Sequence, residues 1–207
     1  MIVIIDYGMG NLRSIQKAIE AIGRRAVISA RPSDVARAQK IILPGVGAFG
    51  DAMRELLSKR LVVPLKDALK DGTPFLGLCL GLQLLFEQSE EAPRIPGLGV
   101  LPGIVKRFRR TKEGLKIPHM GWNKIRIRPA NARQSSILKG VPDGSLMYFV
   151  HSYYVAPEDA RVALTTTDYG IRFVSGIRKD ALYGFQFHPE KSQQLGLRIL
   201  RNFIKYA

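Results

Sequence analysis

Only one cysteine stands among the 207 residues, at position 79, so no internal disulfide can form and a reducing cytoplasm is the natural compartment. Acidic residues are scarce too: 17 Asp and Glu face 32 Lys and Arg, giving a formal charge of +15. The basic residues are scattered, as at Arg24-Arg25, Lys106-Arg107, Arg109-Arg110, Arg126 and Arg128. They come without aromatic interleaving or a basic helix, so a solvated basic surface is expected rather than a nucleic-acid site. No apolar run approaches the roughly 18 residues of a membrane-spanning helix. The stretch Met1-Ile-Val-Ile-Ile-Asp6 lacks the basic lead and cleavage site of a signal peptide. Linkers, repeats and low-complexity segments are missing as well, and the length suits one domain over residues 1–207.

What is present alternates in the first half between short apolar runs and helical spacing. Ile2–Ile5 reads as a strand covered on both faces. Leu12, Ile15, Ile19 and Ile22 then follow at helical spacing, and Gly23 ends that segment. Strands are expected at 26–28, Ile41–Leu43 and Phe75–Leu78, helical segments through much of 51–69, and a further helix marked by Leu82, Leu85 and Phe86. The second half reads as shorter strands at 104–108, 124–127, 146–150, 162–167, 173–178 and 181–185, with a last helix from about Ser192 to Lys205. The order implies an α/β fold: a mixed, mostly parallel central sheet with helices on both faces and extra antiparallel strands.

The cysteine occupies a telling place. Leu76-Gly77-Leu78-Cys79-Leu80-Gly81 sets it between a buried strand and a helix, in a Gly-x-Cys-x-Gly pattern equivalent to a nucleophile elbow. A sharp strand-to-helix turn strains the backbone and leaves no room for Cβ atoms beside it, which accounts for the glycines. The helix starting after Cys79 points its N-terminal dipole at the sulfur, which favours thiolate.

A thiol nucleophile needs an imidazole, and the imidazole needs a group to orient it. Of His119, His151 and His188, only the last has an acid beside it, in Phe187-His188-Pro189-Glu190. Proline favours an extended backbone, in which residues two apart project to one side, so Glu190 can hold Nδ1 of His188 and leave Nε2 for the sulfur. His119 and His151 read as hydrogen-bonded structural histidines. No Cys, His and carboxylate cluster has metal-ligand spacing, and no cofactor is implied. Pro44-Gly45-Val46-Gly47-Ala48-Phe49-Gly50 follows a strand but lacks the Lys-Ser/Thr ending of a phosphate loop. Beside a cysteine elbow, an oxyanion loop is the better expectation.

Together these motifs resemble those of the class I, or triad, glutamine amidotransferases. Asp6-Tyr7-Gly8-Met9-Gly10-Asn11-Leu12, Pro118-His119-Met120-Gly121-Trp122-Asn123, Tyr148-Phe149-Val150-His151-Ser152-Tyr153 and Gln186-Phe187-His188-Pro189-Glu190-Lys191-Ser192 are most similar to the amidotransferase subunits of imidazole glycerol phosphate synthases. The resemblance implies that Cys79 attacks the glutamine side-chain amide, with His188 relaying protons and Glu190 orienting it. It implies oxyanion donors at Val46 or Gly47 and at Leu80, and contacts to the amino-acid end from Gln83 and from the backbone around His151, Ser152 and Tyr153. It further implies a cyclase subunit, a (β/α)₈ barrel, as partner in a heterodimer, facing Asn11, Trp122 and Lys191. A sibling amidotransferase serving purine, aminobenzoate or pyridoxal phosphate synthesis is the nearest alternative, and a nucleic-acid-binding protein the alternative from another class.

Overall fold

The protein is described by a computed structural model over residues 1–109, 114–128 and 136–207; Arg110 of the basic residues noted above lies outside the described residues. In chain order the elements begin with β1 (Ile2–Ile5), α1 (Leu12–Ala21), β2 (Ala26–Ser29), α2 (Pro32–Ala36), β3 (Lys40–Leu43), α3 (Phe49–Ser58), α4 (Val62–Lys70) and β4 (Phe75–Leu78). After one turn of helix, α5 (Leu80–Gln83), come β5 (Phe86–Ser89), β6 (Leu101–Arg107), β7 (His119–Lys124) and β8 (Arg126–Ile127). The chain continues through β9 (Leu146–His151), β10 (Tyr153–Pro157), β11 (Ala163–Tyr169), β12 (Ile171–Lys179), β13 (Leu182–Phe185) and α6 (Gln193–Tyr206).

The main sheet is mixed. Its order runs β2-β1-β3-β4-β13-β12-β10-β6-β5, with β11 on β12 and β8 on β11. Strands β2, β1, β3, β4 and β13 are parallel, and the change of direction comes at β12. The period-two rule divides the core. Val3 and Ile5 face the cluster that holds Phe49, Met53 and Leu56 of α3 and Leu65 of α4. Ile4 faces the opposite cluster with Ile15 and Ile19 of α1 and Ile199, Leu200 and Phe203 of α6. Helices therefore cover both faces of the parallel half, as the apolar runs of β1 and β4 require. Separately, β7 and β9 form a two-stranded antiparallel ribbon that pairs His119 with His151 and Trp122 with Tyr148. No helix among the described residues is long and apolar enough to cross a membrane.

Two local expectations need correction. The helix after the elbow lasts only for Leu80–Gln83, and Phe86 opens a strand paired in parallel with Leu101. Leu84, Leu85 and Phe86 are all fully buried, so burial on every side replaced the helical stripe that their spacing suggested. The helical segments expected over 51–69 are α3 and α4, separated around Arg60, whose φ is 56°. The strand expected over 124–127 is split: Lys124 ends β7 in the ribbon, and Arg126 begins β8 in the main sheet.

The elbow glycines have identifiable roles. A Cβ on Gly81 would overlap the backbone carbonyl oxygen of Leu43, and one on Gly77 would lie 2.8 Å from the Gly81 oxygen. Strand β3 and the elbow turn therefore touch backbone to backbone. Gly81→Ala is expected to destabilise the protein by about 3 kcal/mol, the upper range for overpacking. Urea unfolding measures it, and a loss below about 1 kcal/mol would show that β3 can yield there.

Candidate active site

At the end of β4 the chain turns sharply, and Cys79 carries φ 53° and ψ −108°. A non-glycine residue in that region costs on the order of 1–3 kcal/mol and persists only when its surroundings impose it. Here the Cys79 N–H donates to the Phe185 carbonyl at 2.7 Å, which continues the pairing of β4 with β13 into the turn. The sulfur, in a residue only 4% exposed, lies 3.8 Å from the Val150 carbonyl and 3.6 Å from Nε2 of Gln186. The one-turn α5 supplies a weaker N-terminal field than the longer helix expected from sequence.

Strand β13 leads from Phe185 to His188, whose Nδ1 meets Glu190 Oε1 at 2.8 Å. Both side chains are sealed, at 4% and 2% exposure. The local geometry differs from the extended backbone expected there. His188 itself is extended, but Pro189–Lys191 forms a 3₁₀ turn, closed by Lys191 N–H to the His188 carbonyl at 3.0 Å. Nε2 of His188 and Oε2 of Glu190 have no hydrogen-bond partner among the described residues. Burial opposes the His188 charge, yet the neighbouring Cys79 sulfur and Glu190 together raise its pKa from 6.5 to about 10.

The other two histidines take the opposite state. Burial lowers His119 to about 4. Burial also lowers His151 to about 3, despite its bond to the Tyr153 carbonyl, with His119 and His188 adding to the depression. Their surroundings explain this: His119 stacks on Tyr169 and Phe149 with ring centres 4.0 and 4.8 Å away, and His151 packs against Phe108 and Phe173. They are hydrogen-bonded to each other at 2.9 Å, as structural histidines should be.

A cavity of about 280 Å³ opens over the sulfur, lined by Val46, Gly47, Cys79, Leu80, Gln83, Glu91, Pro118, Val150, His151, Ser152 and Tyr153. The loop, elbow and β9–β10 residues singled out from sequence are thus gathered around one space. The Leu80 N–H donates to the Gly45 carbonyl at 3.3 Å. Gln83 does not point a free amide into the cavity: its Nε2 donates to the Tyr153 carbonyl at 3.0 Å and to Gln186 Oε1 at 3.1 Å. Sequence reasoning missed Glu91 and Gln186 as site residues. Glu91 lies 42 positions from Phe49, whose N–H it accepts at 2.8 Å, and Gln186 lies 107 positions from Cys79. Only tertiary folding reveals either. A larger cavity of about 1230 Å³, lined by Arg107, Arg109 and Lys116 among others, shares Pro118 with this one and holds none of Cys79, His188 and Glu190.

The remaining three positions lie at the surface. Asn11 caps α1 by accepting the Ser14 N–H at 3.2 Å. Trp122 is 46% exposed, which excludes core packing, and stands edge-on to Tyr148. Lys191 lies over the same Tyr148 ring, 5.7 Å from its centre.

A family model described as glutamine amidotransferase class-I matches residues 3–206. The chain belongs to the class I glutamine amidotransferases. This amidotransferase is 53% identical to imidazole glycerol phosphate synthase subunit HisH of Syntrophotalea carbinolica, over 98% of both chains. It is 52% identical to the protein of the same name from Aquifex aeolicus, over 99% of this chain and 96% of that one. In structure it resembles PurLQS from Thermotoga maritima, with a TM-score of 0.75 at 17% identity over 99% and 97% of the two chains. A crystal structure described as a glutamine amidotransferase gives 0.74 at 18% identity over 98% and 96%. At such identities these structures speak for the amidotransferase fold alone.

Two pH effects follow. His188 has a raised pKa, so the stability it contributes is complete below about 6.5 and is lost as pH rises through about 10. Glu190→Gln is expected to move the His188 titration downward from about 10, as seen by NMR of the ring protons; an unmoved titration would exonerate Glu190. His119 and His151 have lowered values, so the unfolded chain binds protons that the folded chain refuses, and stability falls as pH drops from about 6.5 toward 4. Urea midpoints should decline over that range less steeply in His119→Asn than in the parent, and parallel declines would exclude His119 as a contributor.

Proposed function

We propose that this chain is the glutaminase subunit of an imidazole glycerol phosphate synthase, which hydrolyses glutamine and passes the ammonia to a cyclase subunit in histidine biosynthesis. The observation that carries the reading is the buried His188–Glu190 pair, bonded at 2.8 Å, with its free Nε2 in the same site as a cysteine at a strained elbow. The near-full-length likeness to proteins named as subunits of that synthase supports the choice of pathway.

In this reading the Cys79 sulfur attacks the amide carbon of glutamine, and the carbonyl π electrons move to oxygen. At neutral pH the raised His188 value makes the imidazolium its resting form. The proton that the departing amine needs is therefore already on the ring. Collapse of the tetrahedral adduct breaks the C–N bond, releases ammonia and leaves a glutamyl thioester. Water, deprotonated by His188, then attacks the thioester carbon and expels the sulfur, giving glutamate. Glu190 keeps Nδ1 protonated and the ring oriented throughout.

Val46 or Gly47, together with Leu80, would stabilise the oxyanion through backbone N–H groups. The Leu80 N–H is now bonded to Gly45, so the oxyanion would take that carbonyl's place as acceptor. Glu91 is the one acidic residue among the described residues that line the cavity, and it suits the substrate's α-ammonium group. The backbone of His151, Ser152 and Tyr153 would hold the carboxylate end, with Gln83 supporting that wall from behind through its bond to the Tyr153 carbonyl.

Ammonia released into water would be protonated and lose its nucleophilicity, which argues for a partner sealed against the site. The outer face of the β7–β9 ribbon fits that need. Met120, Trp122 and Leu146 are exposed there at 63%, 46% and 49%, and Val150, whose carbonyl reaches the sulfur, lies opposite Met120. Apolar side chains of this size on one exposed face mark a docking surface. We assign that face, with Asn11 and Lys191, to the cyclase, a (β/α)₈ barrel in a cytoplasmic heterodimer. Cys79→Ala is expected to abolish glutamine-dependent cyclisation by the complex while leaving ammonia-supplied cyclisation intact. Loss of both activities in a folded complex would count against the assignment.

A further inference from the structure

Two backbone carbonyls, which can only accept hydrogen bonds, fix the orientation of every polar side chain between the exposed ribbon and the sulfur. The Tyr153 carbonyl takes bonds from His151 Nδ1 at 2.7 Å and from Gln83 at 3.0 Å. His151 must therefore carry its proton on Nδ1, and Gln83 must present its NH₂ group there. Both buried histidines are neutral at physiological pH, so Nε2 of His151 is bare and can only accept. Nδ1 of His119, 2.9 Å away, is then the donor, which leaves its Nε2 bare in turn.

That bare nitrogen needs a donor and has one in Asn123 Nδ2, at 3.2 Å. The second carbonyl checks this from the far end: the same Nδ2 donates to the Asp168 carbonyl at 3.0 Å, while Oδ1 accepts the Lys124 N–H at 2.8 Å. The two ends agree without a single donor facing a donor. On the other side, the second proton of the Gln83 amide goes to Gln186 Oε1 at 3.1 Å, so Gln186 must turn its NH₂ group toward Cys79, 3.6 Å from the sulfur. Gln186 is fully buried and has no freedom to turn otherwise.

We propose that Gln186 binds the Cys79 sulfur through an amide N–H and that Gln83, fixed by the Tyr153 carbonyl at the near end of the hydrogen-bond chain, is the positioning residue that holds this amide in the donating orientation. The chain is not a proton wire. Its bonds converge on the Tyr153 carbonyl and diverge again at Gln83, so protons cannot pass along it. Its effect is to favour a negative sulfur by a fixed donor, in addition to the contribution of His188. Tyr7 also feels the sulfur charge: burial, and then that charge, raise its own pKa, so its hydroxyl stays neutral. The inference rests on Cys79 being the nucleophile proposed above, but its test does not need turnover.

Because the sequence holds one cysteine, alkylation by iodoacetamide reports on Cys79 alone. The full chain is alkylated across a pH series, with folding of each variant verified by circular dichroism. Gln186→Met, which keeps the volume and removes the donor, is expected to slow alkylation near neutral pH about tenfold, with its midpoint roughly one pH unit higher, equivalent to about 1.4 kcal/mol. Gln83→Met, which removes the donor to Gln186 Oε1, should slow it in the same direction. An unchanged profile in folded Gln186→Met overturns the sulfur contact. A response to Gln186→Met but none to Gln83→Met overturns the positioning role. If Gln186→Met does not fold, Gln83→Met still decides, since an unchanged profile in that folded variant contradicts the proposal. A failed glutaminase assay with these alkylation shifts intact would refute the function and leave this inference standing.

Discussion

Cys79 keeps a left-handed backbone because its neighbours leave no relaxed alternative. Its N–H is bonded to Phe185 as the last rung between β4 and β13, while Gly81 on its other side lies directly over the Leu43 carbonyl of β3. Three parallel strands thus meet at one turn. Relaxing φ at Cys79 would break the rung to β13 or drive the elbow into β3, and either costs more than the strain. The same constraint places the site. Strand β13 continues from that rung into Gln186, Phe187 and His188, so the residue that bonds the elbow also fixes how far along the chain the imidazole falls.

The parts of the site carried by short spacing were legible in the sequence. Gly-x-Cys-x-Gly and His-Pro-Glu each express a local geometric requirement within a few residues, and the bond between His188 and Glu190 stands where that spacing suggested, although a 3₁₀ turn rather than an extended strand forms it. The parallel half of the sheet was legible for a similar reason, since a strand buried on both faces must be apolar throughout. Gln186 and Glu91 were not legible as site residues. Each touches the site through a partner far along the chain, and a buried Gln beside a strand looks no different from any other polar residue. Phe86 misled because total burial erases the difference between period 3.6 and period 2.

The ribbon of β7 and β9 shows how one element serves two environments. Alternation sends Met120, Trp122 and Tyr148 outward and His119, Asn123, Phe149 and His151 inward. Among the described residues no layer covers the outer face, which is largely apolar. The inner face carries polar groups, but aromatic rings enclose them, and their hydrogen bonds are all made with one another or with the backbone. A buried polar network satisfied in this way specifies one arrangement, because turning any amide sets donor against donor.

Three histidines of one sequence thus end in two charge states within one site, and the difference traces to two neighbours of His188. All three are buried, and burial favours the neutral ring. His119 and His151 hydrogen-bond to a carbonyl, an amide and each other and have no carboxylate partner among the described residues, so burial decides. His188 faces the Glu190 carboxylate and the Cys79 sulfur, and these outweigh burial. A buried ion pair of this kind is weak as a stabiliser, since desolvation offsets most of its attraction. Glu190 keeps one oxygen without a partner among the described residues, a further cost that folding alone gives no reason to bear. The pair makes sense as a device that holds a charged imidazole against a sulfur. The neutral pair behind it makes sense as scaffolding that must not compete for that charge.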